Sequence, residues 1–326
     1  MKTKPNLLKF MTIAPLIFFF LGISPFPDRC MAEQRYQMSA ASMGGGMYRW
    51  CAAFSKILNE ELKDKNVQFT VRTGSPRANI LMLEEGEVPL ASSGPTYSLM
   101  VHPEDRDFSK TRIRTIWPML SFCRFIVVPE DSPHKTINDL KGKKIAVGIK
   151  TGEGGDFVTL VKYSGWTEED MKGFYFVGKN EGIAAYKDRT VDAWHGGSVI
   201  PSPHFMQLAA SRRGARLLPL SDKLIADICN NDPSYVPGVI PAGMHENVKV
   251  DVPTVYVWMF LLARDDFPED IAYEMVKAAD KRLDDIVAVF KAAHVANKEN
   301  AAKLAKFPLY KMHPGVARFL KEQGLM

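Results

Sequence analysis

The sequence predicts an α/β fold with mostly parallel strands, and three observations predict it. Strand-like and helix-like segments alternate along the chain, the pattern of a sheet layered with helices. A unit of short apolar run, Gly/Ser-rich turn and amphipathic helix occurs at residues 36–62, again at 67–86 and again at 145–164. Residues 266–294 place Ile271, Met275, Ala279, Leu283, Ile286 and Phe290 on one face of a single long helix, a stripe that serves core packing.

Taken in order, residues 1–32 read as a secretory leader. Lys2, Lys4 and Lys9 precede an apolar run at 10–23, and Cys30-Met31-Ala32 places small residues for cleavage near Ala32. Pro15 and the modest length of the run argue against a spanning helix, so the protein is expected to be exported and periplasmic. The first unit has a strand at 36–41, a Ser-Met-Gly-Gly-Gly turn at 42–46 and a helix at 47–62 carrying Trp50, Phe54 and Leu58. The second has a strand at 67–72, the turn Gly74-Ser75-Pro76-Arg77, and a helix from Ala78 that stops near Gly86 before a strand at 88–92. An apolar segment at 113–129 ends in the punctuation Pro129-Glu130-Asp131-Ser132-Pro133.

The third unit has the sharpest turn. Ile145, Ala146 and Val147 form a strand too short to be a helix, and the glycines from Gly152 to Gly155 let the backbone bend because glycine tolerates positive φ. Phe157, Leu160 and Val161 then recur at helical spacing until Gly165. Beyond it lie a strand at 190–195 ending at Gly196-Gly197, a helix at 201–212 opened by Pro201, and an apolar run at 250–262. Each unit aims a helix N-terminus at the carboxyl edge of a sheet, where unpaired N–H groups attract an anion. Neither GxGxxG nor GxxxxGK[ST] fits this turn, and Glu153 would repel a pyrophosphate. Ser132 to Lys135 with Lys150-Thr151-Gly152 imitates the SxxK and KTG pair of penicillin-binding enzymes, but the two motifs lie too close together.

The formal charge is +5, and a leader with four basic residues and one acidic residue leaves +2 on its removal. That balance gives no concentrated basic face for nucleic acid. Cys51, Cys123 and Cys229 remain, an odd number without CxxC or metal-type spacing, and are expected as buried free thiols with no metal and no cofactor, although an exported compartment would permit one disulfide. The seven histidines are scattered and neither HExxH nor GxSxG occurs, so no catalytic residue is assigned and the chain is not expected to be an enzyme.

Several stretches, in order, resemble the TAXI family of solute receptors of tripartite ATP-independent periplasmic (TRAP) transporters. They are Gly44-Gly45-Gly46-Met47-Tyr48, Gly74 to Asn79, Asp139 to Gly148, Val191-Asp192-Ala193, Ile240-Pro241-Ala242-Gly243, Asp251-Val252-Pro253-Thr254 and His313-Pro314-Gly315. The resemblance spans nearly all of the chain after the leader. It implies a two-lobed periplasmic-binding-protein type II-like fold with the ligand cleft between lobes. Lobe one would be residues 33–125 and 253–326 and lobe two residues 126–252, with crossings near 123–129 and 250–261. It implies a monomer that captures a small carboxylate ligand, an amino acid or organic acid, and hands it to TRAP membrane permease subunits. A ligand sensor subunit and an exported enzyme on the same fold are the alternatives. His313-Pro314-Gly315 is expected to be a structural turn.

The ligand-binding residues expected on this resemblance are Gly46, Met47, Tyr48, Ser75, Arg77 and Asn79 from lobe one. Lobe two would supply Gly154, Gly155, Asp156, Trp194, Gly197 and Ser198. Glycine N–H groups would hold a carboxylate, Tyr48 and Trp194 would cover the apolar part, and Arg77 would pair the carboxylate through its planar fork. The competing readings are Trp194 as ordinary core and Arg77 as a solvated surface residue. Asp156 would either cap its helix or accept a hydrogen bond from a ligand ammonium or hydroxyl. The family's usual Gly-Gly-Thr-Tyr-Tyr and Gly-Ser-Gly-Thr-Glu are altered here to Gly44-Gly45-Gly46-Met47-Tyr48 and Gly152-Glu153-Gly154-Gly155-Asp156, so the site's place is inherited but the ligand is not.

Overall fold

The computed structural model describes residues 33–104, 107–150, 153–307 and 309–326. The expected leader at 1–32 and Gly152 lie outside the described residues. Among the described residues, no helix is long and apolar enough to cross a membrane.

The first half begins with β1 (Gln34–Ser39), α1 (Gly46–Glu61), β2 (Val67–Arg72), α2 (Pro76–Glu85), β3 (Leu90–Ser93) and α3 (Pro95–Val101). β1 lies in parallel between β2 and β3. α1 forms because Trp50, Phe54 and Leu58 recur every four residues and are wholly buried, with the two rings 4.7 Å apart. Burial of side chains this size contributes about 1.5–3 kcal/mol each. After the 16-residue β4 (Ile113–Val128) comes the second half. It holds β5 (Ile145–Ala146), α4 (Glu153–Tyr163), β6 (Phe174–Tyr175), α5 (Lys179–Lys187), β7 (Ala193–Ser198), α6 (Pro203–Ala209), β8 (Arg216–Leu217) and α7 (Asp222–Asn231). β5 lies in parallel between β6 and β7. β9 (Val236–Ile240) and β10 (Val252–Arg264) lead back to α8 (Glu269–Lys281), α9 (Leu283–Val289), α10 (Lys298–Leu304) and α11 (Pro314–Glu322).

The strands join in the order β2-β1-β3-β10-β4-β7-β5-β6, with β8 beside β4 and β9 beside β10. Two parallel ends are therefore linked by two long antiparallel strands. Ile113 at the start of β4 pairs with Arg264 at the end of β10, and Cys123 pairs with Tyr256. Beyond that point β4 pairs instead with β7 and β8. Each long strand thus belongs to both halves, which is the two-lobed α/β plan. The register slips between Met259 and Phe260 and between Leu261 and Leu262, where β10 bends.

Two expectations are corrected. The long helix at 266–294 breaks at Arg282 (φ −114°, ψ 25°), and α9 starts afresh. Arg282 there reaches Glu61 at 3.0 Å and Glu60 at 3.3 Å, at the end of α1, and also binds Asp285. The apolar stripe continues across the break, so its spacing concealed the bend. The helix expected at 201–212 covers only α6, because the hydroxyl of Ser202 accepts from the N–H of Phe205 at 3.2 Å and sets the start there. His313 caps α11 through Gly315 N–H at 3.3 Å, and its other ring nitrogen lies 2.9 Å from the carbonyl of Phe267. Cys51, Cys123 and Cys229 are free thiols, the first two buried.

Candidate functional site between the halves

Strand alternation sets the site. In the second part of β4, Cys123, Phe125 and Val127 enter a core with Trp194 and Phe205, while Arg124, Ile126 and Val128 face the other side, toward α4. Arg124 is directly opposite Gly197 on β7. A Cβ on Gly197 would lie 2.2 Å from Nη1 of Arg124, so the guanidinium lies across the bare glycine backbone. From there Nη2 of Arg124 donates to the carboxylate of Asp156, in the first turn of α4. The arginine side chain is only 6 % exposed and the aspartate 13 %. Next to this pair, Glu153 accepts from Nζ of Lys179 at 2.8 Å, and the same ammonium donates to the Gly197 carbonyl at 3.0 Å.

Burial disfavours the charge of Arg124, but Asp156, with Tyr235 and Glu153, more than restores it, and the guanidinium is held above its ordinary range. Burial raises the Asp156 carboxyl, against the pull of Arg124. Tyr235 is wholly enclosed beside both, and burial with the Asp156 charge pushes its phenol well up, so it stays protonated. His195, on the same face of β7 as Gly197, stacks on Phe157 at 4.3 Å; burial and the positive charge of Arg124 hold its imidazole well below the usual value and therefore neutral.

Above the pair lies a cavity of about 390 Å³. The first half contributes Arg77 from the first turn of α2, and Thr96, Leu99 and Met100 from α3. The second half contributes Lys150 ahead of α4, Gly155, Asp156 and Thr159 from its first two turns, and Asp232, Ser234 and Tyr235 between α7 and β9. Among the described residues neither Arg77 nor Lys150 has an ion-pair partner. The hydroxyls of Thr96 and Ser234 are buried without any hydrogen-bond partner among the described residues. Asp232, in contrast, accepts from Ser234 N–H at 2.9 Å. The arrangement offers two free cations at the mouth, with the Thr96 and Ser234 hydroxyls buried behind the walls, which suits a small anion.

Of the residues the sequence nominated, Arg77, Gly155 and Asp156 line this cavity. The others lie elsewhere for identifiable reasons. Asn79 is wholly buried, and its amide donates to the carbonyls of Ser39, Ala40 and Ser92 and accepts from the Ser39 hydroxyl. Gly154 gives its N–H to the carbonyl of Ile149 at 3.0 Å, so it has none left for a carboxylate. Trp194 points into the second-half core against the backbone of Gly196 and Gly182. Gly46 packs on Phe290 and Leu120, and Met47 and Tyr48 are half-buried against the first-half core. Ser75 is the exposed N-cap residue of α2, without a side-chain capping bond. Gly197 serves as the seat of Arg124, and Ser198 is buried opposite Cys123.

Arg124, Thr96, Ser234 and Tyr235 were not nominated. Arg124 had a readable signal, as the only charge between Ile116 and Val128 in an otherwise apolar strand. The others had none, because α3 and the turn before β9 are too short to leave a periodic pattern.

Fold and cavity define a two-lobed α/β protein with a small polar cleft between its halves. The chain belongs to the NMT1-like family, whose model matches residues 38–324. A search of curated proteins gave no match. Among solved structures the chain is similar to the periplasmic aliphatic sulphonate binding protein SsuA from Escherichia coli, at 15 % identity over 89 % of this chain and 85 % of that one, with a TM-score of 0.49. It is also similar to XAC2383 from Xanthomonas citri bound to ATP, at 11 % identity over 90 % and 96 % of the two chains, TM-score 0.49. A third is the L-cystine solute receptor of Neisseria gonorrhoeae in its unliganded open conformation, at 11 % identity over 81 % and 94 %, TM-score 0.44.

Proposed function

We propose that the protein is a periplasmic solute-binding receptor that takes a small carboxylate-bearing solute, an amino acid or organic acid, into this cavity and delivers it to transporter membrane subunits. One observation carries the reading: Arg77 and Lys150 lack ion-pair partners among the described residues, at a cavity walled by both halves. A carboxylate between the two cations would gain charge-assisted hydrogen bonds. Walls from both halves let a bound solute favour closure through contacts that only the closed form makes. The TAXI-type motifs support a TRAP permease as the partner.

A native mass spectrum of freshly purified protein identifies any retained solute. Thermal shift measurements then test the class, since a solute at a hundredfold excess over Kd stabilises the folded form by about 2.7 kcal/mol. Shifts with carboxylates and none with neutral sugars are expected. A shift with a sugar and none with any carboxylate overturns the reading.

A further inference from the structure

Arg124 is the strongest anion-binding group near the cavity, yet it does not line it. Asp156 and Tyr235 stand between the guanidinium and the cavity, and Asp156 occupies Nη2. Nε of Arg124 is buried with no partner, so the guanidinium is not saturated by the protein. Gly197 fixes it in place from beneath. A second carboxylate, Asp232, lies on the same cavity wall. At the deep end of the cavity Asp156 therefore holds Arg124, whereas the mouth carries Arg77 and Lys150.

We infer that Asp156 is a built-in counter-ion that closes Arg124 to the solute and thereby sets the solute's charge: one anionic group, held at the mouth, with an uncharged or cationic remainder directed inward. The inference rests on the reading of the cavity as an anion-binding site. It gives Asp156 a role that is neither helix cap nor ligand contact. An anionic group reaching the deep end of the native cavity would meet the Asp156 carboxylate, and like charges placed together discriminate against a partner. Without the Asp156 charge, the same deep end presents a buried guanidinium with no carboxylate on it.

The test compares butyrate with succinate, which share a four-carbon chain and differ by one carboxylate. Calorimetry at pH 7 and low salt would use the native chain, Asp156→Asn, and Asp156→Asn combined with Arg124→Gln. Native protein should bind butyrate in preference to succinate, and Asp156→Asn should move that preference toward succinate by about tenfold or more, the size of one charge-assisted contact. Adding Arg124→Gln should return it. If Asp156→Asn does not fold, the double variant, which has lost both charges, decides. A preference within about threefold of the native one supports the inference, and a tenfold move away from succinate shows that Arg124 already holds the solute, overturning it. An unchanged preference in folded Asp156→Asn overturns it while the anion-site reading stands. Absence of binding by both probes to the native chain removes that reading and the inference with it.

Discussion

Gly197 and Arg124 face each other across the β4–β7 pair, and the guanidinium fills the space that any side chain at 197 would need. Gly197→Ala would set a methyl group 2.2 Å from Nη1. The arginine is buried and tied to Asp156, so it cannot swing into solvent without abandoning its partner. The expected cost is about 1–3 kcal/mol from overpacking, and more where the ion pair separates. Urea denaturation of the two proteins measures it; equal midpoints would mean that the guanidinium has another seat.

Asn79 makes a prediction of the opposite kind, large in stability and absent in specificity. Its amide joins the ends of β1 and β3, with two N–H groups shared among three carbonyls 2.8–3.0 Å from the nitrogen and one accepted bond of 2.8 Å. Asn79→Ala leaves three buried carbonyls short of a donor. At about 1 kcal/mol per bond the loss should reach 2–4 kcal/mol. The ratio of affinities for any two carboxylates should not change, because the side chain does not line the cavity. A changed ratio in the folded variant would return Asn79 to the binding site.

Asn79 and Arg124 also show how much the sequence disclosed. The α/β alternation and the bounds of β2 were legible because each has a local cause in periodicity. The turn expected at 152–155 is misplaced, since Gly154 and Gly155 lie inside α4 and the described glycine with positive φ ahead of it is Gly148. The mouth of the cavity was legible at Arg77 and Gly155, which follow strand–turn–helix units. Asn79 sits in the first turn of α2, but its amide is turned onto the carbonyls of Ser39, Ala40 and Ser92, and the turn motif does not encode that direction. Arg124 was visible as a charge in an apolar run, but its meaning depends on Gly197 and Asp156, distant in sequence. Pairing of that kind is fixed by sheet register, which no single stretch records.

His195 supplies a pH dependence with a definite sign. Burial, then the charges of Arg124 and Lys179, hold its folded-state value well below the ordinary 6.5. Above pH 6.5 both folded and unfolded chains carry it neutral, and its contribution is fully present. Below that, the unfolded chain takes up a proton that the folded chain refuses, so stability falls as pH falls, by up to about 1.4 kcal/mol per unit. His204 and His313 are lowered in the same direction and steepen the slope. His195→Phe, which keeps a ring against Phe157, should remove one histidine's share. Urea midpoints at pH 7.5 and 5.5 for both proteins give the comparison, with carboxylate contributions common to the two. Identical slopes would show that His195 accepts a proton in the fold.

Arg77 and Lys150 are both exposed and lack ion-pair partners among the described residues, so their removal should leave the fold within about 0.5 kcal/mol. Affinity should respond differently. Arg77→Ala and Lys150→Ala are each expected to weaken carboxylate binding by about 1.5–3 kcal/mol, the range for a hydrogen bond to a charged group. Raising the salt concentration should narrow the difference from the native protein, because charges at an open mouth are screened. Calorimetry at two ionic strengths checks both points. Native-like affinity in both variants would move the anion away from the mouth.

The hydroxyls of Thr96 and Ser234 carry a prediction in which stability and binding change in opposite directions. Each is buried without a partner, and an unmet polar group of this kind costs the fold about 1–3 kcal/mol. Thr96→Val replaces the hydroxyl by a methyl group of nearly the same size, and Ser234→Ala deletes it. Without solute, both variants should therefore melt at or above the native temperature, with a gain of about 0.5–2 kcal/mol. With solute they should lose a similar amount of affinity, because closure of the two halves is expected to turn these hydroxyls onto the solute in the native complex. Melting curves with and without a carboxylate identified by the mass spectrum measure both terms on the same samples. A variant that gains stability and keeps full affinity would show that its hydroxyl faces away from the bound solute; one that loses stability without solute would show that the hydroxyl has a partner in the fold.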